Sequence, residues 1–348
     1  MLPLIIVLRP FSWIYGSVLR LRHRLYDKGM KKSSYGPLKT IVIGNLELGG
    51  TGKTPLTIHV LQLLQKDYRM GFLSRGYGRD TKGFQRIQAD SDPALIGDEP
   101  LLINQSCPGV ESAVCEDRLQ GLEELAEKAS LDFVVLDDAY QHRKLASGFN
   151  ILVTPYAKPF WKNHLIPEGS LRDLKERAKA AHCIVISKCP EHISEEDFKD
   201  FREQASWYSS APVYFARLKY GNLINLKDNS ILVDWPDAIV AVSGIADATL
   251  FHKKISSKSQ LIRSLNFADH YLYKLKDIRR LKEICSSFAG RNSALVTTSK
   301  DGVKLKRPEF LRELEGIDVF ELPIEIEFLS QGFDEMIIAY ARANKRDS

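Results

Sequence analysis

A glycine-rich stretch that ends in Lys53 and Thr54 is the part of the sequence whose residue types most clearly indicate chemistry. It reads IVIGNLELGGTGKTPLTIHVLQLL over residues 41–64, with an apolar run before the glycines and an amphipathic run after them. Glycines let backbone N–H groups converge on phosphate oxygens, a lysine can reach the β and γ phosphates, and a threonine can bind Mg²⁺. We predict that the nucleotide-binding residues are Gly49, Gly50, Thr51, Gly52, Lys53 and Thr54.

The loop departs at one position from the usual phosphate-binding pattern G-x-x-x-x-G-K-[ST]. Counting back from Gly52 places Glu47 where the first glycine belongs. The context still favours phosphate binding, because a strand precedes the loop and Pro55 suits the first turn of a helix whose positive end then faces the phosphates. A glycine-rich turn without chemistry is the disfavoured alternative.

Two adjacent aspartates, Asp137 and Asp138, follow the apolar run FVVL. In a P-loop protein, a carboxylate at the end of a neighbouring strand organises Mg²⁺. A single aspartate after a strand is usually a turn former or a helix cap, but two beside a P-loop favour a functional site. The loop and this pair together predict that the chain binds a nucleoside triphosphate.

Asp98 and Glu99 form a second adjacent pair, between apolar stretches and before Pro100. Adjacent carboxylates repel each other, so a buried pair requires a cation such as Mg²⁺ or an imidazolium nearby, whereas a pair on the surface requires none. His270, which aromatic residues flank in NFADHYLYKL, could supply an imidazole from a second domain. Such a histidine can equally be structural.

The residues after two other apolar runs bear on the choice between a kinase and a GTPase. P-loop GTPases typically recognise guanine through [NT]-K-x-D, and the candidates here are SKCPEH at 187–192 and TTSKDGVK at 297–304. Neither places an aspartate two residues after its lysine, so a GTPase is disfavoured. A kinase requires a base within reach of an acceptor hydroxyl, in line with the γ phosphate.

Short β-branched runs alternate with helix-like segments, which predicts the elements that position these residues. The runs of the first set are TIVIG (40–44), MGFLS (70–74), DFVVLDD (132–138), NILVT (150–154) and HCIVIS (182–187). Such alternation predicts an α/β fold of the P-loop NTPase type, with a mainly parallel sheet and flanking helices. A strand, a turn at Gly221-Asn222 and another strand then precede a second set of runs.

We therefore predict four segments. They are an N-terminal helical segment at 1–32, a P-loop domain at 33–215, a β-hairpin linker at 216–236 and a smaller α/β domain at 237–348. Five scattered cysteines lack the spacing of a zinc site or a disulfide framework and fit a reducing compartment.

The N-terminal segment combines apolar residues with clustered positive charge. Residues 1–40 hold eight Lys/Arg and one acid, whereas the remainder holds 41 basic and 43 acidic residues, a distribution unlike that of a nucleic-acid binder. Its apolar run is too short to span a membrane. Helical spacing puts Phe11, Ile14, Tyr15, Val18, Leu21 and Leu25 on one face. This pattern fits a helix on an anionic membrane surface, or a helix packed on the protein's own core.

Taken together, these motifs resemble those of the tetraacyldisaccharide 4'-kinases of lipid A biosynthesis. The matching segments are GNLELGGTGKTP (44–55), LSRGYGR (73–79), GDEPLLI (97–103), LDDAYQHRKL (136–145), IPEGSLRD (166–173), SGIADATLF (243–251), FADHYLYK (267–274) and TTSKDGVKL (297–305). The glycine loop of that family also lacks the first glycine, so Glu47 is no departure from it. Real departures are Ala139-Tyr140 in place of Gly-Phe, Asp173 in place of Glu, and Ser299 within the usual T-E-K-D.

The resemblance implies transfer of the γ phosphate of ATP to a sugar hydroxyl of an acylated disaccharide that carries a 1-phosphate. Asp98 would be the general base, with His270 orienting it as a dyad, and Lys53 would stabilise developing charge on the phosphates. The residues that would organise Mg²⁺, directly or through water, are Thr54, Glu99, Asp137 and Asp138. Candidates for contacts to phosphate or sugar, or for structural ion pairs, are Arg75, Arg79, Arg118, His142 and Arg172.

The implied substrate also bears on location and partners. An enzyme that acts on a membrane-embedded lipid must reach it, so the resemblance favours the N-terminal helix as an anchor on the anionic cytoplasmic face of the bacterial inner membrane. We expect no nucleic-acid partner, and no protein partner is predicted. A soluble P-loop ligase or small-molecule kinase, and a membrane adaptor with an inactive loop, are the alternatives that remain.

Overall fold

Two large β-sheets and one two-stranded sheet contain the strands of the protein, which a computed structural model describes at residues 2–146, 148–288 and 292–344. The helices are α1 (Leu2–Asp27), α2 (Lys53–Leu64), α3 (Pro93–Ile96), α4 (Asp98–Ser106), α5 (Arg118–Lys128), α6 (Glu195–Ser206), α7 (Thr249–Ser256), α8 (Leu275–Ser286), α9 (Ser299–Leu305), α10 (Pro308–Glu313) and α11 (Phe333–Ala343).

Most strands are short and buried. They are β1 (Ser34–Tyr35), β2 (Lys39–Gly44), β3 (Met70–Ser74), β4 (Gln85–Arg86), β5 (Glu111–Val114), β6 (Phe133–Asp137), β7 (Leu145–Ala146), β8 (Phe149–Pro155), β9 (Cys183–Ser187), β10 (Val213–Tyr220), β11 (Leu223–Asn225), β12 (Ile231–Leu232), β13 (Ala238–Ser243), β14 (Gln260–Asn266), β15 (Ser293–Thr298), β16 (Val319–Leu322) and β17 (Ile324–Phe328).

The first lobe is built on a nine-stranded sheet in the order β17-β10-β9-β8-β2-β6-β3-β5-β4. All its pairings are parallel except the outermost at each edge, β17 with β10 and β4 with β5. Alternate residues of β2 face opposite cores, Ile41 and Ile43 on one side and Val42 on the other. Helices cover both faces, which is why the central strands are continuous apolar runs. The predicted fold class is confirmed.

The second lobe is a six-stranded sheet in the order β12-β11-β16-β15-β13-β14. Its central strands β13, β15 and β16 are parallel, and helices α7 to α10 lie along the chain between and after them. Val242 and Leu295 are buried in its core with Ile278 and Leu281 of α8. Helix α9 packs against α4 of the first lobe, and this contact brings the two sheets' loops together.

The connection between the lobes differs from the predicted hairpin linker at 216–236. Strands β10 and β11 do not pair with each other across Gly221-Asn222; β10 pairs with β17, and β11 pairs with β16 and β12. Two antiparallel chain segments therefore run from one sheet to the other, and the Gly221 amide donates to the Pro323 carbonyl at 3.0 Å where they cross. Local sequence could not show this ribbon, because its second half lies about a hundred residues further along the chain.

The C-terminal end also departs from the predicted division, which assigned 237–348 to the second domain. Strand β17 is an edge strand of the first lobe's sheet, and α11 buries Phe333, Ile337 and Ala341 in the core that contains Leu56 and Val60 of α2. A side-chain contact of 2.7 Å between His59 and Asp334 also joins the two helices. The second lobe is thus an insertion between β10 and β17.

Ile337 tests this assignment. Ile337→Ala removes a fully buried side chain from the first lobe's core and should lower the free energy of unfolding by about 2–5 kcal/mol, measured by urea denaturation. The matched control is Ile338→Ala, because the neighbouring isoleucine is only half-buried. Equal losses for the two variants would contradict the docking of α11.

Candidate active site

The glycine loop lies between β2 and α2, as its sequence predicts. Gly49 and Gly52 have φ of 98° and 85°, values that only glycine adopts without strain. The Thr51 hydroxyl accepts from the Asn45 side-chain amide at 2.9 Å, which holds the loop in shape. Helix α2 begins at Lys53, so its unpaired N–H groups and positive end face the loop. The loop is a concave site for an anion.

Glu47, which stands where the usual pattern has its first glycine, has a structural contact. Its side chain is buried, and its Oε1 accepts from the Thr154 hydroxyl of β8 at 2.8 Å. Burial raises the pKa of the Glu47 carboxyl to about 7, against the hydrogen bond from Thr154, which lowers it. The glutamate therefore ties the outer half of the loop to the neighbouring strand, so a first glycine is not needed there.

Asp138 is held by two cations at the end of β6. Both its oxygens accept from the Arg172 guanidinium, and Lys53 Nζ lies 3.4 Å from Oδ1. Arg172 also donates to the Asn45 side chain, so a single arginine connects the carboxylate to the loop. Burial opposes ionisation of Asp138, but the hydrogen bonds and charge of Arg172 lower its pKa below the usual range. Asp138 has a φ of 51°, so its backbone is strained.

Asp137 has the opposite environment from its neighbour. It is buried, and its Oδ1 has no hydrogen-bond partner among the described residues. Burial raises the pKa of this carboxyl to about 7; Lys53 lowers it, and the charges of Asp138 and Glu99 raise it further. Among the described residues, no cationic side chain pairs directly with this carboxylate, and a divalent cation fits such a position.

Of the other predicted Mg²⁺ residues, Asp138 adjoins Asp137 and the charge of Glu99 acts on it, but the described residues do not form a complete metal site. Thr54 is the second residue of α2, and Glu99 Oε1 lies 3.1 Å from Lys300 Nζ. Within residues 2–146, 148–288 and 292–344, no three His, Cys, Asp or Glu side chains are grouped to hold a metal. Mg²⁺ in nucleotide sites is commonly bound by one or two carboxylates together with the phosphates, so this arrangement remains compatible with it.

Asp98 and His270 meet across the cleft between the lobes. Asp98 is the first residue of α4 and is buried, and His270 Nδ1 donates to its Oδ1 at 3.0 Å. Burial opposes ionisation of Asp98, but the hydrogen bond from His270 and the charges of Lys300 and Lys304 lower its pKa to about 2. The same hydrogen bond raises the pKa of His270. The structure brings the two predicted residues together.

Two lysines of α9, which the sequence patterns did not indicate, contact the adjacent carboxylates Asp98 and Glu99. Lys304 is buried and places Nζ 3.5 Å from Asp98 Oδ2 and 2.7 Å from Asp301, whereas Lys300 contacts both Glu99 and Asp269 at 3.1 Å. Their spacing of four residues on one helix could have shown that they share a face. Nothing in the sequence showed that this face meets α4.

Arg79 and Arg118, two of the remaining candidates, have structural contacts. Arg79 pairs with Glu116 at 2.8 Å, and the buried Arg118 donates to the carbonyls of Cys115 and Asp137. Asp173, where the family usually has Glu, is completely buried and accepts from His23 Nε2 of α1 at 2.6 Å. That contact belongs to the docking of the N-terminal helix rather than to the cleft.

The fold and the site define a P-loop phosphotransferase: a glycine loop at a helix N-terminus, a strand-end aspartate pair, and a carboxylate–imidazole pair joined between the two lobes. The chain belongs to the tetraacyldisaccharide-1-P 4'-kinase family, whose sequence model matches residues 4–342.

Known proteins similar to this chain support the assignment. The tetraacyldisaccharide 4'-kinase of Phocaeicola vulgatus is 34% identical over 98% of this chain and 96% of its own length, and that of Bacteroides thetaiotaomicron is 35% identical over 98% and 94%. A crystal structure of LpxK from Aquifex aeolicus in complex with ATP has a TM-score of 0.77 and 28% identity, and covers 99% of this chain and 100% of that one.

The raised pKa of Asp137 predicts a pH-dependent effect of removing its charge. The folded protein retains this proton up to about pH 7, whereas the unfolded chain loses it near pH 4, so stability falls as pH rises between these values. Asp137→Asn should therefore raise the free energy of unfolding of the ligand-free protein by about 1–3 kcal/mol at pH 8 and leave it nearly unchanged at pH 4. Thermal melts at the two pH values measure this difference.

Asp132→Asn is the matched control at the other end of β6. Asp132 accepts from the Arg69 amide at 2.8 Å and pairs with its guanidinium at 3.5 Å, so neutralising it should not stabilise the protein at any pH. Destabilisation by Asp137→Asn at pH 8 would show that a cation within the protein already compensates Asp137.

Proposed function

We propose that this chain transfers the γ phosphate of ATP to the 4'-hydroxyl of a tetraacyldisaccharide 1-phosphate in lipid A biosynthesis, the reaction for which its family is named. One observation supports the residue assignments: the charges of Lys53, in the loop, and of Glu99, the neighbour of Asp98, both act on Asp137. A phosphoryl donor and an acceptor hydroxyl can therefore meet there.

Asp98 is the group that receives the acceptor hydroxyl. Its low pKa keeps it ionised, so it accepts a hydrogen bond from the hydroxyl and directs the oxygen toward the γ phosphate. The proton leaves late in a loose phosphoryl-transfer transition state, so orientation matters more than a high basicity. His270 Nδ1 on Oδ1 and Lys304 near Oδ2 fix the plane of the carboxylate.

Lys53 and the loop amides hold the β and γ phosphates and stabilise the charge that develops on them. Asp137, with Thr54, Glu99 and Asp138 as further candidates, would hold Mg²⁺, which neutralises phosphate charge when it is bound. Arg172 keeps Asp138 ionised and in contact with Lys53. The two lobes together exclude water from the transferred group, because Asp98 and His270 come from different lobes.

We also propose that α1 docks the enzyme on the anionic cytoplasmic face of the inner membrane. The helix packs on the first lobe through its small and polar stripe, with Ser12, Gly16, Leu19 and His23 facing inward. Its exposed face carries Phe11, Trp13, Ile14, Val18 and Leu21, which are 58–69% exposed. Among the helices that the structure describes, none has the length and apolarity needed to cross a membrane. An apolar face turned outward beside cations fits an interfacial helix.

The same helix is connected to the active site, which suits a lipid substrate. The Tyr15 hydroxyl donates to the Arg172 carbonyl at 2.9 Å, and His23 binds Asp173 next to it. The residue that holds Asp138 is therefore positioned by the helix that meets the membrane. This arrangement favours the lipid kinase over a soluble kinase, in which an exposed apolar face would serve no purpose.

Label transfer tests the reaction. With γ-³²P-ATP and a detergent-dispersed tetraacyldisaccharide 1-phosphate, the wild type should label the lipid, and Asp98→Ala should reduce the rate by roughly 10²–10⁴-fold because the acceptor hydroxyl loses its base. ATP affinity should remain within about twofold of the wild type, since Asp98 does not hold the phosphates. ATP binding without label in the lipid would contradict the function.

His270→Gln serves as the comparison in the same assay. In the wild type, protonated His270 lowers the proton affinity of Asp98, so the rate should rise with pH through the raised pKa of His270 and then level off. His270→Gln should be slower and should lose this rise. An unchanged pH profile in the variant would show that His270 does not act on the base.

Vesicle sedimentation tests the docking helix. Wild type should bind vesicles that contain anionic phosphatidylglycerol, less at 500 than at 50 mM NaCl, and Val18→Glu should weaken binding at least about tenfold because it places a charge in the apolar face. Ser206→Glu adds the same charge at an exposed site on α6 and should bind as the wild type does. Equal binding by both variants would rule out this face of α1.

A further inference from the structure

Lys188, at the end of β9, has a backbone conformation that its residue type does not explain. Among the described residues, four that are not glycine have positive φ: Asp138, Lys188, Asn229 and His270. Asn229 lies in the turn between β11 and β12, where asparagine is well tolerated. Asp138 and His270 lie in the candidate active site, where strained backbone is commonly found. Lys188, with φ of 54°, is the lysine among them.

The strained backbone carries the Lys188 side chain to the phosphate-binding loop. A Cβ added to Gly50 would lie 3.9 Å from Lys188 Nζ, the nearest atom on that side of the loop. The preceding residue fixes the strand end in place, because the Ser187 hydroxyl is buried and donates to the Thr51 carbonyl at 2.6 Å. The ammonium is therefore positioned beside the loop by a buried contact one residue away.

The charge on Lys188 lacks a close partner within the described chain. None of the described carboxylates lies within 4 Å of its ammonium, whereas Lys53 has Asp138 at 3.4 Å. The Lys188 side chain is exposed to solvent, yet desolvation by the surrounding protein atoms lowers its pKa; the charge of Asp247 raises it, and that of Lys53 lowers it further. Two lysines thus lie at a loop built for an anion, and among the described residues Lys188 has no carboxylate in direct contact.

We propose that Lys188 is a second phosphate-binding lysine of this enzyme, which contacts the polyphosphate of the nucleotide at the Gly50 side of the loop. The assignment rests on the proposed function, since it requires a nucleotide at the loop. Bound phosphates remove the repulsion between Lys53 and Lys188, so part of the affinity for a polyanion comes from relief of that repulsion. SKCPEH, which lacks the aspartate of a guanine-recognition motif, thereby acquires a role that does not depend on the base.

A structural role for Lys188 is the competing explanation. Asp247, in the loop after β13 of the second lobe, is the acid whose charge acts on Lys188. If the two residues served to hold the lobes together, removal of either would lower stability, and the loss of nucleotide affinity would be the same for every ligand. If Lys188 binds phosphate, the loss must grow with the number of phosphates.

The experiment measures the affinities of wild type, Lys188→Ala and Lys188→Arg for ATP, ADP and AMP by calorimetry with Mg²⁺, and thermal melts without nucleotide. We expect Lys188→Ala to lower the affinity for ATP at least tenfold, the affinity for ADP less and the affinity for AMP least. Lys188→Arg should recover most of the lost affinity. The matched control is Lys199→Ala, which removes an exposed lysine from α6 and should change nothing. Lys53→Ala is the positive control for the loop.

Lys188→Gly separates the two explanations most sharply. Glycine adopts the positive φ without strain, so this variant should melt at or above the temperature of the wild type while it loses ATP affinity as Lys188→Ala does. A lower melting temperature for Lys188→Gly, an equal loss for ATP and AMP, or the same loss on Asp247→Asn would overturn the proposal. If Lys53→Ala lost ATP binding and Lys188→Ala did not, the role of Lys188 would be refuted and the proposed function would stand. If the wild type did not bind ATP, both would be refuted.

Discussion

The contact between Asp98 and His270 is the constraint on which the organisation of this protein depends. The carboxylate begins α4 in the first lobe, and the imidazole follows β14 in the second, so each lobe contributes one residue of the pair. The crossing of two chain segments at Gly221 and Pro323 holds the lobes at the required separation. A ribbon of two segments resists twisting better than a single linker, because its strands share hydrogen bonds in both sheets.

Differences in charge compensation explain why the carboxylates of the candidate active site have such different pKa values. Asp98 and Asp138 have cations that lower their pKa values, whereas Asp137 and Glu47 are buried with incomplete compensation and have raised values. The first two are ready to act as anions in the empty protein. Ionisation of Asp137 becomes favourable only beside an added cation, so cation binding is linked to the loss of a proton from this carboxyl.

The amphipathic N-terminal helix is oriented in the reverse of the usual way, with its apolar face directed outward. In a globular core helix the apolar stripe faces inward, but α1 directs Ser12 and His23 inward and Val18 and Leu21 outward. Hydrogen bonds from Ser12 and Tyr15 attach the helix together with the buried Leu19. An exposed apolar face is thereby obtained without loss of a defined orientation on the enzyme.

The sequence by itself determined the elements whose signals are local. The glycine loop, the strand before it and the helix after it lie within 24 consecutive residues, and the alternating apolar runs predicted the parallel sheet, because glycine freedom and strand periodicity act over a few residues. The residues suggested His270 as a partner for Asp98, a contact that the structure shows, whereas their roles as a dyad come only from resemblance to a family. The tertiary structure alone decided what surrounds them: Lys304 behind Asp98, Arg172 on Asp138, Lys188 beside Gly50, and α11 on the first lobe. These contacts join residues far apart in the chain, and their energies depend on burial and charge that exist only once the chain is folded.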